Sequence, residues 1–239
     1  AENWKPAGFD PAKKQIKKLI TRAHVLADSA IKTPQFYLLF FVLMLNVTAG
    51  IGVLGQASVM IQELFSVESV GKSNAIDASA AAGFVMLLSF FNMAGRFIWS
   101  SLSDKIGRKN TYSIFFTAGI MLYAAIPSAG ASGTAVLFIA AFAVIISMYG
   151  GGFATIPAYL KDLFGTKQVG AIHGRLLLAW SMAAILGPVL INYMRQYQLE
   201  VSKLPKAQVY STTMYVMAAL LVVGLICNLS IKPVNEKYH

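Results

Sequence analysis

The sequence predicts an all-α membrane protein of six transmembrane helices. Composition is the first ground: 56% of residues are hydrophobic, 13% are charged and mean hydropathy is +0.61, outside the usual range of soluble domains. Six apolar runs are the second, near 36–61, 78–101, 111–128, 134–158, 171–194 and 211–231. Each can cross roughly 30 Å of hydrocarbon at about 1.5 Å per residue. The third is the placing of charge. The 20 Lys and Arg and 10 Asp and Glu collect between the runs, which argues against a nucleic-acid partner despite the basic balance.

Residues 1–35 read as a cytoplasmic basic arm. Trp4, Pro6, Gly8 and Pro11 make an irregular start. Ile16, Leu19, Ile20, Ala23 and Leu26 then form the apolar side of a helix whose other side carries Lys13, Lys14, Lys17, Lys18 and Arg22. Such a helix lies on an anionic leaflet or serves as a solvated linker. The first apolar run stands far behind Ala1, so a cleavable signal peptide is not expected.

Residues 36–231 form the bundle and 232–239 a tail. The first run contains Gly50, Gly52 and Gly55, the fourth Gly150–Gly152 and Pro157, the fifth Gly187-Pro188. Membrane helices tolerate these because neighbouring helices and water satisfy freed backbone groups. Gly50 to Gly55 matches the dinucleotide fingerprint by letter, but no strand precedes it; close helix approach or local flexibility is the reading. Lysine and arginine crowd the arm, the second connection (Lys105, Arg108, Lys109), the fourth (Lys161, Lys167) and the tail. That bias places both termini in the cytoplasm, in a cytoplasmic (inner) membrane.

The second run carries the chemistry. Ser89, Asn92, Arg96, Ser100 and Ser103 share one sector at about 100° per residue, a polar line that suggests a wet interior. A guanidinium within hydrocarbon persists only where a cavity, partner or ligand meets it. Arg96 either snorkels toward Asp104, about 12 Å along the helix, or faces the bundle as the stripe directs. There its planar donor fork suits a carboxylate. Asn92, one turn away, orients the arginine or donates to the ligand. Asp104, Gly107, Arg108 and Lys109 read as a tight turn: Gly107 permits a left-handed bend, Asp104 meets a helix amino terminus or a basic partner, and Arg108 and Lys109 anchor the inner face. Arg175 reads as a snorkelling anchor. His24, His173 and His239 are scattered and Cys227 is the only cysteine. Without a nucleophile elbow or metal-ligand spacing, no enzyme, metal or cofactor is expected.

Ser100-Ser101-Leu102-Ser103-Asp104-Lys105-Ile106-Gly107-Arg108-Lys109 resembles the signature of the major facilitator superfamily, Gly-x-Leu-x-Asp-x-x-Gly-Arg-Lys, with Ser100 at the leading glycine. More narrowly, Lys32 to Tyr37, Asn46 to Gln56, Asn92 with Gly95-Arg96, and Phe164-Gly165 through Ala179-Trp180 to Gly187-Pro188 resemble the oxalate/formate antiporter family. The resemblance covers nearly all of the chain, as the carboxy-terminal half of a twelve-helix transporter. It implies a half-bundle of two inverted three-helix repeats, although the sequence shows no short-period repeat. It also implies transport of small organic anions by alternating access, in membrane lipid, beside a missing amino-terminal six-helix half.

In that family the arginine matching Arg96 is implied to hold substrate carboxylate. Oxalate-exchanging members carry a lysine where Trp180 falls here. One positive charge suits a monocarboxylate such as formate, lactate or pyruvate better than a dianion. Tyr149 and Trp180 either wall a pocket for the small carboxylate or pack between helices. The other reading is a noncatalytic membrane assembly or regulatory subunit derived from a transporter half, for which Arg96→Ala has no phenotype beyond folding.

Overall fold

The computed structural model describes residues 19–21, 23–131 and 133–238. Their order is α1 (Ala27–Ala30), α2 (Pro34–Leu64), α3 (Val67–Val70), α4 (Ala78–Ile106), α5 (Arg108–Ala131), α6 (Ala135–Phe164), α7 (Val169–Leu176), α8 (Leu178–Glu200) and α9 (Ser211–Ser230). Among the described residues six stretches are long and apolar enough to cross a membrane: α2, α4, α5, α6, α7 with α8, and α9. Local chemistry starts them. Thr33 Oγ1 accepts from the Phe36 N–H at 3.3 Å with Pro34 at the first helical position, and Asp77 Oδ1 accepts from the Ala80 N–H at 2.8 Å.

The helices overrun most of the predicted ends. α2, α4 and α6 hold 31, 29 and 30 residues, about 45 Å each at 1.5 Å per residue. That is the depth of hydrocarbon plus headgroup layers, whereas hydropathy registers the hydrocarbon alone. Pro157 and Pro188 lie inside continuous helices; only the fifth span divides, at Leu177.

Of the basic amphipathic helix expected in the arm, residues 1–18 and Arg22 lie outside the described residues, whereas Leu19, Ile20, Ala23 and Leu26, four of its five apolar positions, lie in non-helical backbone, because this segment directs its N–H groups to α6 rather than to its own carbonyls. It docks on the end of α6. The Thr21 and Val25 N–H groups donate to Asp162 O at 2.8 Å and Phe164 O at 2.9 Å. Arg175, expected as a snorkelling anchor, pairs with Asp28 at 2.6 Å. The arm that brings Asp28 there is distant in sequence, so periodicity gave no sign of it.

The main packings are α4 on α6, α2 on α8 and α5 on α9, followed by α5 on α6 and α2 on α9. Taking α2, α4 and α5 as one triplet and α6, α8 and α9 as the other, exchange of the triplets turns each of these pairings into another or returns it to itself. This is the pattern of two related three-helix repeats. Glycine sets the closest crossings. A Cβ on Gly95 of α4 would strike the Ser147 carbonyl oxygen of α6 and lie 2.7 Å from Ser147 Cα. A Cβ on Gly187 of α8 would lie 2.8 Å from Thr48 O of α2. Gly50 and Gly52 meet Tyr149 and Gly187, but Gly55 has nothing within 4 Å, so two of those three glycines serve close approach.

Candidate functional site

The α4–α6 crossing positions Arg96. With Gly95 pressed on Ser147, the next residue swings its guanidinium over the Phe153 ring of α6, 5.2 Å from the centroid, within cation–π range. Phe153 meets Trp180 of α8 edge-on at 4.7 Å, and Trp180 lies tilted against Tyr149 at 5.7 Å. Three of the residues expected from sequence are thus gathered: Arg96, Tyr149 and Trp180. Phe153, which joins them, was not foreseen, although its i+4 spacing from Tyr149 on α6 is the signal that finds it. Arg96 is exposed, and among the described residues its guanidinium makes no ion pair. A cation therefore stands on an aromatic floor with its charge uncompensated by any described carboxylate.

Asn92 is half-buried and turned toward α6. A Cβ on Gly150 would stand 2.6 Å from its Oδ1, and that oxygen is buried without a hydrogen-bond partner. The serines of the stripe behave differently. Ser89 Oγ donates to Val85 O at 3.0 Å, Ser103 Oγ to Ser100 O at 2.7 Å, and Ser100 Oγ to Arg96 O. Their hydroxyls close back onto their own helix. The Ser89 and Ser100 bonds lie on exposed surface, on the same helix as Arg96 and Asn92.

Asp104, Gly107, Arg108 and Lys109, the turn expected from sequence to act as a conformational motif, lie at the α4–α5 junction. Gly107 has φ +90° and ψ 148°, and a Cβ there would meet nothing within 4 Å, so backbone angle rather than space demands glycine. Arg108 donates to Ser103 Oγ and to Asp104 and lies 3.7 Å from Asp162 at the end of α6. Lys109 Nζ donates to Leu229 O at 2.7 Å and Ile231 O at 2.8 Å, closing the carboxyl end of α9, where a cation also suits the helix dipole. Asp104 therefore meets a basic partner, one of the two expected roles. Asp162 was missed, because an acid near a helix end carries no sign of the helix it will face.

A second polar cluster at the opposite end was also missed. Arg195 of α8 donates from Nε to Glu63 Oε2 at 2.9 Å and from a second nitrogen to Oε1. Tyr210 Oη donates to Glu63 Oε2 at 2.6 Å. Burial first, and then the Glu63 carboxylate, push the Tyr210 phenol above its ordinary value.

A family model described as Major Facilitator Superfamily matches residues 2–188. The oxalate:formate antiporter of Oxalobacter formigenes is 31% identical over 180 residues, covering 75% of this chain and 40% of that protein. An uncharacterized MFS-type transporter, YhjX, of Escherichia coli (strain K12) is 26% identical over 179 residues, covering 74% of this chain and 42% of that protein. The chain spans about two-fifths of the length of these curated relatives. The likeness covers three-quarters of it rather than nearly all, and α9 lies beyond the family match.

Proposed function

The chain belongs to the Major Facilitator Superfamily, and on that premise we propose that it carries small organic anions, monocarboxylates before dicarboxylates, by alternating access as the carboxy-terminal half of a transporter. The single observation that carries the reading is the Arg96 guanidinium on the Phe153 floor, without an ion pair among the described residues and with Trp180 and Tyr149 beyond it. A guanidinium presents a planar fork that two carboxylate oxygens match, and the match strengthens where water is excluded. Trp180 adds apolar surface where a second cation would be needed for a dianion. Asn92, one turn from Arg96, supplies the neighbouring amide. The chain is then a carrier rather than an enzyme.

Working as half of a carrier requires a complementary six-helix half. Phe90 and Phe97 of α4 and Val189 and Tyr193 of α8 are all exposed large side chains, an apolar surface suited to that half and to lipid. The Arg108 turn faces the cytoplasm in this reading, with both termini on that side of the inner membrane.

The test is counterflow in proteoliposomes holding the full-length protein that carries this chain, with formate, lactate, pyruvate and oxalate as substrates. Monocarboxylates exchange, and Arg96→Lys lowers their uptake about tenfold, the loss of roughly 1.4 kcal/mol expected when a fork becomes a point charge. Trp180→Lys shifts preference toward oxalate. Uptake untouched by Arg96→Lys refutes the carboxylate clamp.

A further inference from the structure

The aromatic floor stands on the weakest part of α6. Gly150, Gly151 and Gly152 follow Tyr149 directly, and glycine lowers helix stability at each position. Pro157 has no N–H, so the Phe153 carbonyl lacks its helical donor. Side-chain hydroxyls already draw on the neighbouring carbonyls: Thr155 Oγ1 donates to Gly151 O and Tyr112 Oη to Gly152 O, both at 2.7 Å.

On either flank lies a buried amide atom with no partner. Asn92 Oδ1 of α4 faces Gly150, and Asn46 Nδ2 of α2 faces Gly152. Asn46 is only 7% exposed. Native interiors seldom leave such atoms unpaired; two beside one glycine run point to a second arrangement of the helix in which they are paired. The chemistry is complementary. A bend at this segment offers carbonyls to the Asn46 amide and frees glycine N–H groups for the Asn92 oxygen.

We propose that α6 hinges between Gly150 and Pro157, with Asn46 and Asn92 as positioning residues whose amides are satisfied only in the bent form, so that Phe153 swings relative to Arg96. The kinetic consequence rests on the transport reading above; the hinge itself does not.

Asn46→Leu in the full-length protein is the test. Replacing an unpaired buried amide by an apolar group of similar size stabilises the unbent form. Thermal unfolding then rises by about 2–4 °C, while turnover in counterflow falls at least fivefold and the half-saturating substrate concentration moves less than twofold. Thr213→Val is the comparison. Thr213 Oγ1 is another buried atom without a partner, on α9, so its replacement raises thermal stability and leaves turnover unchanged.

A lower unfolding temperature for Asn46→Leu overturns the proposal, because the amide then has a partner, water included, in the unbent form. Unchanged turnover also overturns it. Hydrogen exchange on the unsubstituted protein gives an arm independent of refolding: amides of residues 150–155 exchange at least tenfold faster than those of 142–147 in the same helix. Equal protection overturns the hinge. Absence of uptake in the parent protein instead removes the transport reading, with the thermal and exchange arms still deciding the hinge.

Discussion

Replacing Gly95 by alanine adds one methyl group at the point where α4 and α6 touch. Elsewhere in a helix this change is favourable by up to about 1 kcal/mol. At Gly95 the new carbon lands on the Ser147 carbonyl oxygen and 2.7 Å from Ser147 Cα. Ordinary carbon contact begins near 3.5 Å, so the backbones must part by about 1 Å. Overpacking of this kind costs about 1–3 kcal/mol. The retreat also breaks the Trp99 Nε1 donation to Ser147 Oγ at 3.2 Å, about another 1 kcal/mol. After the gain in helix propensity, a net loss of about 1–3 kcal/mol remains, a fall of about 2–12 °C in a chain of this size. Gly55→Ala is the internal control, since nothing lies within 4 Å of its Cβ position and only the favourable term applies. Thermal unfolding of both variants in detergent, followed by size-exclusion chromatography, measures the difference. Equal shifts for the two refute the reasoning that glycine is required at the crossing. The parting also lifts Arg96 from Phe153, so in the proposed reading anion uptake falls with stability.

Two further outcomes follow from the ends of the bundle. The Tyr210 phenol is held above its ordinary value of about 10, so the folded state keeps its proton where the unfolded state loses it; the stabilisation is full below pH 10 and declines above it, by at most about 1.4 kcal/mol per pH unit. Unfolding curves between pH 8 and 11 show this decline, and Tyr210→Phe flattens it while costing about 1.5–3 kcal/mol at neutral pH through the lost bond to Glu63. At Gly107, alanine and asparagine cost alike, about 1–3 kcal/mol, because φ +90° with ψ 148° lies outside the left-handed helical region that asparagine tolerates; a thermal melt in which asparagine matches glycine contradicts this.

What the sequence made legible was whatever a single helix determines. Hydropathy located six spans, the Ser100 to Lys109 stretch located the turn, and the lone Arg96 within an apolar run named the residue around which the candidate site is built. What it concealed depends on two helices at once. Phe153 acquires meaning only when Gly95 lowers Arg96 onto it. Asp162 acquires it only when α6 ends beside Arg108. The serine stripe was legible only in part: periodicity tells which face a hydroxyl occupies, not that Ser89, Ser100 and Ser103 find acceptors one turn back on their own helix.

The internal repeat shows the same division at a larger scale. No short-period sequence repeat marks it, yet the two glycine crossings are counterparts under exchange of the triplets. Gly95 of α4 against Ser147 of α6 corresponds to Gly187 of α8 against Thr48 of α2. Two residues beyond Ser147 and Thr48 stand Tyr149 and Gly50, and these pack on each other between the repeats. At that shared position one repeat supplies tyrosine and the other glycine; two tyrosines would collide and two glycines would leave a void. The two sides of the crossing are therefore complementary in size. Arg96 belongs to the same asymmetry: it follows Gly95 in one repeat where Pro188 follows Gly187 in the other. A charge on one side alone makes the half-bundle electrostatically lopsided around its own axis, and in the proposed reading that single unmatched charge is what limits the cargo to one carboxylate at a time.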